Sequence, residues 1–417
     1  MQSGKPVVVI GGGTSGITAA VEAAEAGTQV ILLEREAYLG GRVFRMNKYF
    51  PKLCPPQCGM EINFQRIRSN PNIRVITSAT VKSVSGSAGN FKLEISTATN
   101  PVNNKCTACG DCVPVCPVET VDDFNYSMSK RKAVYMSHPM AYPNRFIIDM
   151  KTCKGAECSK CVDACKYKAI EFGKPAEEMS IDAASVVIAS GWKPYDAGKI
   201  ENLGFGSFKN VITNVMMERL ASPGGPTGGK ITRPSDGKEV RKVAFVQCAG
   251  SRDENHLPYC SAVCCLASLK QATYVREAIP DAEVIIFYID MRTPGKYEAF
   301  MKKVSGDEKV SLVKGKVAKI TEDSSTKEVI LSAEDVMGGE KIEYRADLAV
   351  LATGMAPSLN GEAKNLMVQT DENGFILTDK LPDGISVAGV AERPVDVVAS
   401  VMGGTAAALN SLQWGGK

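Results

Sequence analysis

Apolar residues come along this chain in short runs, each stopped by glycine or a polar residue, and that rhythm predicts buried strands joined by helices and turns. Lys5 to Ile10 (KPVVVI) reads as a first strand, the Ala-rich stretch Ile17 to Ala26 as a helix, and Gln29 to Leu33 as a second strand. Asn72 to Val84 reads as a strand pair with polar ends, and Phe91 to Ile95 alternates as a half-buried strand does. Ser185 to Gly191 and Asp347 to Gly354 share one pattern, a strand running into small residues and glycine. Lys242 to Gln247 (KVAFVQ) and Ala282 to Ile289 (AEVIIFYI) predict the strands of a further unit. Strands alternating with helices argue for an α/β architecture. The Gly/Pro-rich stretch Ser222 to Gly229 marks a surface loop or linker. The longest apolar runs, such as Val284 to Ile289, are strand-sized and far short of the ~18 residues a membrane span requires. Met1 to Pro6 leads into the first strand with no apolar signal region before it.

The joint after the first strand carries specific chemistry. Gly11-Gly12-Gly13-Thr14-Ser15-Gly16 lies between strand and helix, and the second strand ends on Glu34, with Arg35 next. Gly11 permits the tight turn, Gly13 lets backbone approach a pyrophosphate, and Gly16 allows close helix–strand packing. Gly12 and Ser15 complete a turn that leads into a helix N-terminus, whose N–H groups and dipole favour an anion. Glu34, about 20 residues on, is placed to bind ribose hydroxyls. Strand, turn, helix and acid in register predict dinucleotide binding. Leu39-Gly40-Gly41-Arg42 follows, either as a second pyrophosphate contact through Gly41 and Arg42 or as an ordinary turn.

Fourteen cysteines change the picture further. Eight fall in two blocks, Cys106-x2-Cys109-x2-Cys112-x3-Cys116-Pro117 and Cys153-x4-Cys158-x2-Cys161-x3-Cys165. Thiolates at such short spacing wrap one iron–sulfur cube, while the fourth Cys of each block reaches the other cube. On that crossed scheme one [4Fe–4S] cluster takes Cys106, Cys109, Cys112 and Cys165, and the other takes Cys153, Cys158, Cys161 and Cys116. A pair of zinc knuckles is the alternative. Clusters of this kind move electrons.

In the later unit, the strand Lys242–Gln247 opens into Cys248-Ala249-Gly250-Ser251-Arg252-Asp253, where a nicotinamide-binding domain would have its glycine turn. Cys260, Cys264 and Cys265 follow. These four thiols are candidate ligands of a third cluster, with buried packing cysteines as the alternative. Lys270, five residues past Cys265, could place a cation beside a cofactor or simply lie on a helix surface.

Charge narrows the classes. With 49 basic and 46 acidic residues the formal net charge is +3, which is no electrostatic footprint for nucleic acid. The run Lys130-Arg131-Lys132 reads as a solvated turn. Thiols in metal-like spacing fit a reducing, cytoplasmic compartment.

Together these features resemble the A subunit of heterodisulfide reductase. The residues that carry the likeness are the glycine turn, Phe50-Pro51-Lys52, the two cysteine blocks ending in Ala169-Ile170-Glu171-Phe172, and Val246-Gln247-Cys248-x-Gly250-Ser251-Arg252-Asp253 through Tyr259-Cys260-Ser261-x2-Cys264-Cys265. The resemblance implies two Rossmann-like domains of the thioredoxin-reductase type with a ferredoxin-like insertion. It implies FAD as cofactor, facing Arg35, Val81, Ala189, Ser190, Gly191, Thr353, Gly354 and Gly389 besides the glycine turn, and a third cluster on Cys248, Cys260, Cys264 and Cys265. The closing flavin motif usually reads Gly-Asp, whereas this chain has Gly389-Val390-Ala391-Glu392. Cys54 and Cys58 are expected to be structural or flavin-adjacent, with a flavin-linked dithiol as the alternative.

The boundaries expected are 1–98, 173–200 and 356–417 for the FAD domain, 99–172 for the insertion, and 201–355 for the second domain. A chain that stops at Lys417 looks most like the short form found in the quinone-interacting membrane-bound oxidoreductases of sulfate reducers. Partners implied by that likeness are adenylylsulfate reductase, a quinone-interacting membrane subunit, plus a second flavin/iron–sulfur subunit, with peripheral membrane association through them. The remaining alternatives are a self-contained NAD(P)H-dependent flavin oxidoreductase and a non-catalytic electron-wiring scaffold.

Overall fold

A computed structural model describes residues 4–359 and 361–414. The chain forms two compact units, one from residues 1–192, 357–393 and 397–417, the other from 193–356 with 394–396.

The first unit is built on a parallel five-stranded sheet. β1 (Val7–Ile10) lies at its centre, between β2 (Val30–Leu33) and the strand Ser185–Ile188, with Ile73–Ile76 and Ile385–Val387 at the edges. The three central strands, buried on both faces, are nearly continuous Val, Ile and Leu, as parallel sheets require. One face packs on helix α1 (Thr14–Glu25) and on the helices Pro56–Ser69 and Val397–Leu412. Small residues let α1 and the last helix approach closely: a Cβ on Gly404 would lie 2.5 Å from the Ser15 carbonyl oxygen. The other face packs on a three-stranded antiparallel sheet, Ala79–Ser87, Asn90–Thr97 and Glu177–Ala183.

The cysteine blocks hang from two neighbouring strands of that antiparallel sheet, because Asn90–Thr97 and Glu177–Ala183 pair with each other. Their neck is closed by the bridge Val102–Ile170, with Asn103 N–H donating to the Ala169 carbonyl (2.8 Å) and Glu171 N–H to that of Pro101 (2.9 Å). Beyond it lie two short ladders, Glu119–Val121 with Lys130–Lys132 and Val134–Tyr135 with Ile147–Ile148. The insertion's core contains Cys112, Cys116 and Cys161 beside Val102, Ala133, Val134, Ile148 and Ile170.

The second unit repeats the plan. Its parallel sheet runs Val211–Thr213, Leu348–Thr353, Lys242–Ala249, Glu283–Tyr288, Val310–Lys314. The helix Cys264–Ala278 contributes to the core on one face, and the antiparallel sheet Val317–Glu322, Val329–Asp335, Glu340–Ala346 packs on the other. Among the described residues, no helix is long and apolar enough to cross a membrane.

Candidate functional site

The turn after β1 is shaped by what its glycines exclude. A Cβ on Gly16 would fall 1.8 Å from the Gly11 carbonyl oxygen, and one on Gly11, itself at φ +110°, 2.2 Å from that of Ala189. Gly41, at φ +57°, brings its backbone against Gly13, where a Cβ would meet the Gly13 Cα at 2.9 Å. Gly40 N–H donates to the Gly12 carbonyl (2.8 Å), so the two glycine segments form one cradle. No side chain caps α1, and its first turn has no acid, leaving its positive end directed at the cradle.

Glu34 is buried and holds this turn in place. Its carboxylate accepts from the N–H of Gly12 (2.6 Å) and of Glu36 (2.7 Å). Burial raises its pKa above the usual carboxylate value, and the two N–H bonds oppose that rise.

A cavity of about 260 Å³ runs along the cradle. Gly11, Gly13, Ser15, Glu34, Arg35, Gly41, Arg42, Val81, Ala189, Ser190 and Gly191 all line it. Gly12 and Gly16 are in the turn behind. Gly389 is adjacent, at φ +68°, where a Cβ would lie 2.2 Å from Ser15 Oγ, and its neighbour Val390 lines the cavity. Two hydroxyls in the lining, Thr14 Oγ1 and Ser190 Oγ, are buried without a hydrogen-bond partner. Buried hydroxyls are normally satisfied. A polar, phosphate-bearing ligand along the cradle would satisfy them, so these residues fit a dinucleotide.

The insertion supplies part of the wall through Asp123, Phe124, Arg131, Tyr135 and Ser137. Here the reading of Lys130–Lys132 as a solvated turn is corrected. The segment is a strand, and Arg131 is held inside by an ion pair to Asp149 (3.2 Å) and by stacking 3.5 Å over the Tyr135 ring. Tyr38 joins the two parts: it lines the cavity, and its hydroxyl donates to the Arg145 carbonyl at 2.9 Å.

The thiols of the insertion gather in the crossed sets. Cys106, Cys109, Cys112 and Cys165 line one small cavity together with Phe146 and Ile170. Burial, then Cys106, Cys109 and Cys161, push the Cys112 thiol up to about 12. Burial, then Cys153, with Cys116 and Cys158 also contributing, push Cys161 up to about 11. Ala108 and Gly110, both at positive φ, turn the backbone around the first set. N–H groups of Gly155 and Ala169 donate to the sulfurs of Cys153 and Cys165, each at 3.3 Å. Thiols that oppose one another's ionisation need a cationic centre to hold them as thiolates. Among the described residues no three His, Cys, Asp or Glu side chains converge on a single-ion site. Soft thiol donors alone, four to a set and with no histidine among them, fit iron–sulfur cubes.

In the second unit, Cys248 lies where the strand Lys242–Ala249 slips register against its neighbour, and its own φ is +54°. Ala262, at φ +62°, turns the chain into the helix that Cys264 begins. Burial raises the thiols of Cys248, Cys264 and Cys265, and the other cysteines of the set add to each rise. Arg252 and Arg292 both pair with Asp290 and stand beside Cys248 and Cys260, three roles that the sequence pattern does not reveal.

Three expected positions fall elsewhere. Thr353 and Gly354 are in the second unit, not in the cavity lining. The Thr353 carbonyl accepts from Cys264 Sγ (3.7 Å), and a Cβ on Gly354 would strike Ser251 Oγ at 2.2 Å. Lys270 is neither on a helix surface nor presented as a lone cation: it is buried and paired with Glu218 at 3.0 Å. Cys54 and Cys58 flank the start of the helix Pro56–Ser69, half-buried and exposed respectively, and Gln57 between them donates to the carbonyl of Phe44 (2.8 Å) in the cavity wall.

Residues 6–46, the unit that forms the cradle, match the family model described as FAD dependent oxidoreductase. The chain is 38% identical over 409 residues to the iron-sulfur A subunit of the CoB–CoM heterodisulfide reductase of Methanocaldococcus jannaschii, covering 94% of this chain and 62% of that protein. It is 34% identical to the A subunit of the H2:CoB–CoM heterodisulfide, ferredoxin reductase of Methanothermobacter marburgensis, covering 96% and 62%. Over nearly all of its length the chain is heterodisulfide reductase A-like. It spans about three fifths of the length of these relatives. Its fold is shared with the thioredoxin reductase of Lactococcus lactis (TM-score 0.55, 14% identity, 98% of each chain) and the bacillithiol disulfide reductase of Bacillus cereus (TM-score 0.53, 14%, 99% of each).

Proposed function

We propose that this heterodisulfide reductase A-like chain is an FAD and iron–sulfur electron-transfer component of a multi-subunit oxidoreductase. FAD would lie in the cavity of the first unit. Two [4Fe–4S] clusters would occupy the crossed thiol sets of the insertion, and a third would take Cys248, Cys260, Cys264 and Cys265. The observation that carries the reading is that one unit holds both the glycine cradle and the insertion thiols, with insertion residues walling the cavity.

Bound FAD supplies exchange between two-electron and one-electron chemistry. The backbone of Gly11 to Gly13 and the start of α1 would receive the pyrophosphate, with Arg42 in the same lining. Glu34 and Arg35 would take the adenosine ribose, Val81 and Ala189 to Gly191 would flank the cofactor, and Val390, after Gly389, stands where an Asp side chain is usual. Thr14 and Ser190 would orient it through their unpartnered hydroxyls.

The family likeness supports a finer assignment: electrons exchanged between a menaquinone-linked membrane module and cytoplasmic sulfur metabolism, with adenylylsulfate reductase as partner. The chain would be peripheral, held at the membrane by other subunits.

The test is iron and flavin content of protein purified anaerobically. About twelve irons per flavin are expected from three cubes. A reproducible value near eight rejects the third cluster, and absence of flavin rejects the cavity as its site.

A further inference from the structure

The thiols of the second unit are gathered beside a clamp of three charges. Asp290, just past the strand Glu283–Tyr288, holds two arginines at once. Arg252 Nη1 pairs with its Oδ1, and Arg292 Nε lies 3.1 Å from its Oδ2. Arg252 is the deeper of the two, its side chain 27% exposed against 49% for Arg292. Two cations on one anion leave one positive charge over. The other acid of this loop does not cancel it, because Asp253 is matched by Lys316 at 2.9 Å.

The clamp is set directly against the sulfurs. Cys265 Sγ lies 3.7 Å from the Asp290 carbonyl oxygen. Arg252 donates to the Cys248 sulfur, the Arg292 guanidinium to that of Cys260, and the Arg292 N–H to that of Cys265. Three of the four sulfurs therefore have an arginine as donor. The backbone is bent to bring this about. Arg252 holds φ +57°, a left-handed conformation that its Cβ disfavours. Its N–H bond to the Tyr259 carbonyl (3.0 Å) and that of Asp253 to Leu257 (3.1 Å) keep it there. Strain fixed in this way by its surroundings gathers at functional sites.

We infer that Arg252 and Arg292, gripped by Asp290, are positioning residues that raise the reduction potential of a cluster on Cys248, Cys260, Cys264 and Cys265. The inference rests on the third-cluster reading and adds the residues that tune it. A cube held by four thiolates is an anion, and an added electron makes it more negative. A nearby positive charge and N–H donors at the sulfurs therefore stabilise its reduced state more than its oxidised one. Arg292 is half exposed, so water and salt screen part of its charge and keep the effect modest. Reduction adds one electron, supplied by dithionite in the test below, and makes or breaks no bond.

The experiment is an EPR-monitored redox titration of anaerobically purified holoprotein, with iron and flavin counted first. The third centre is the signal missing from Cys260→Ser protein. At the wild-type midpoint, R292Q is expected to lower the reduced-to-oxidised ratio of that centre about tenfold, a fall of about 59 mV for one electron. R292K keeps the charge and should recover most of the loss. D290N keeps both cations, removes the anion and should move the midpoint the opposite way. The insertion clusters are the internal control, and their midpoints should stay where they are. A clamp that is merely structural would shift R292Q and D290N in the same direction, and that result overturns the inference. So do midpoints in iron-replete protein that ignore all three substitutions. Wild-type protein with about eight irons per flavin would instead remove the third cluster itself. If R292Q fails to hold its iron, D290N decides: a higher midpoint supports the inference, and an unchanged or lower one overturns it.

Discussion

Glu34 keeps its carboxylate among backbone amides rather than in water, and its raised pKa has a sign that can be checked. The folded chain holds that proton more tightly than the unfolded chain, so the stability linked to it is complete below the usual value of 4.5 and is lost as pH rises through the folded value. Glu34→Gln removes that dependence and leaves one of the two N–H groups unpaired, at about 1–2 kcal/mol. Urea unfolding from about pH 5 to 8 should show wild-type stability declining with pH and the variant flatter and lower at its acid end; parallel curves would contradict it. Gly41 makes a second test at this scale. Gly41→Ala must accept φ +57° and a Cβ 2.9 Å from the Gly13 Cα. Strain of about 1–2 kcal/mol should weaken FAD binding roughly tenfold while far-ultraviolet circular dichroism stays unchanged. Fluorescence titration of flavin-free protein reads the affinity.

At the scale of elements, the crossed thiol sets make a counter-intuitive prediction. Cys165→Ser should damage the cluster on Cys106, Cys109 and Cys112, although Cys165 stands in the other block, because the four share one cavity. Iron counting and EPR should show that cluster lost and the one on Cys153, Cys158 and Cys161 retained; the reverse pattern would defeat the crossed scheme. Elements of this kind were legible in the sequence because their signals are local: strand, glycine turn and helix are consecutive, and the spacing of Cys106, Cys109 and Cys112 is itself the geometry. Arg131 was not legible. Its run of three charges has no periodicity, and what buries it is Asp149, eighteen residues away, together with Tyr135. Lys270 misled for the same reason: nothing near it in sequence announces Glu218, fifty-two residues earlier. Thr353 and Gly354 share the strand–small–glycine pattern of Ile188 to Gly191, yet that pattern does not say which unit a strand will join.

For the whole molecule, the second unit has the sheet and helix of a dinucleotide domain, but its first joint carries cysteines. The strand Lys242–Ala249 bulges at Cys248, and the following helix begins on Cys264, so no glycine turn offers backbone N–H groups to a second pyrophosphate. NADH and NADPH should therefore be poor direct reductants. Stopped-flow mixing with the oxidised holoprotein is expected to leave the flavin absorbance intact on the millisecond-to-second scale, and rapid stoichiometric bleaching would favour an NAD(P)H-dependent oxidoreductase instead. The wall that Asp123, Phe124, Arg131, Tyr135 and Ser137 lend to the cavity reaches further still, into how the chain is made. Those residues belong to an insertion whose small core is partly thiol, so on the proposed cluster reading the wall is only as sound as the iron that would knit it. Biogenesis then has an order: a cell starved of iron or sulfide would accumulate chains that also fail to keep their flavin, and shortage of one nutrient would be felt as loss of two cofactors.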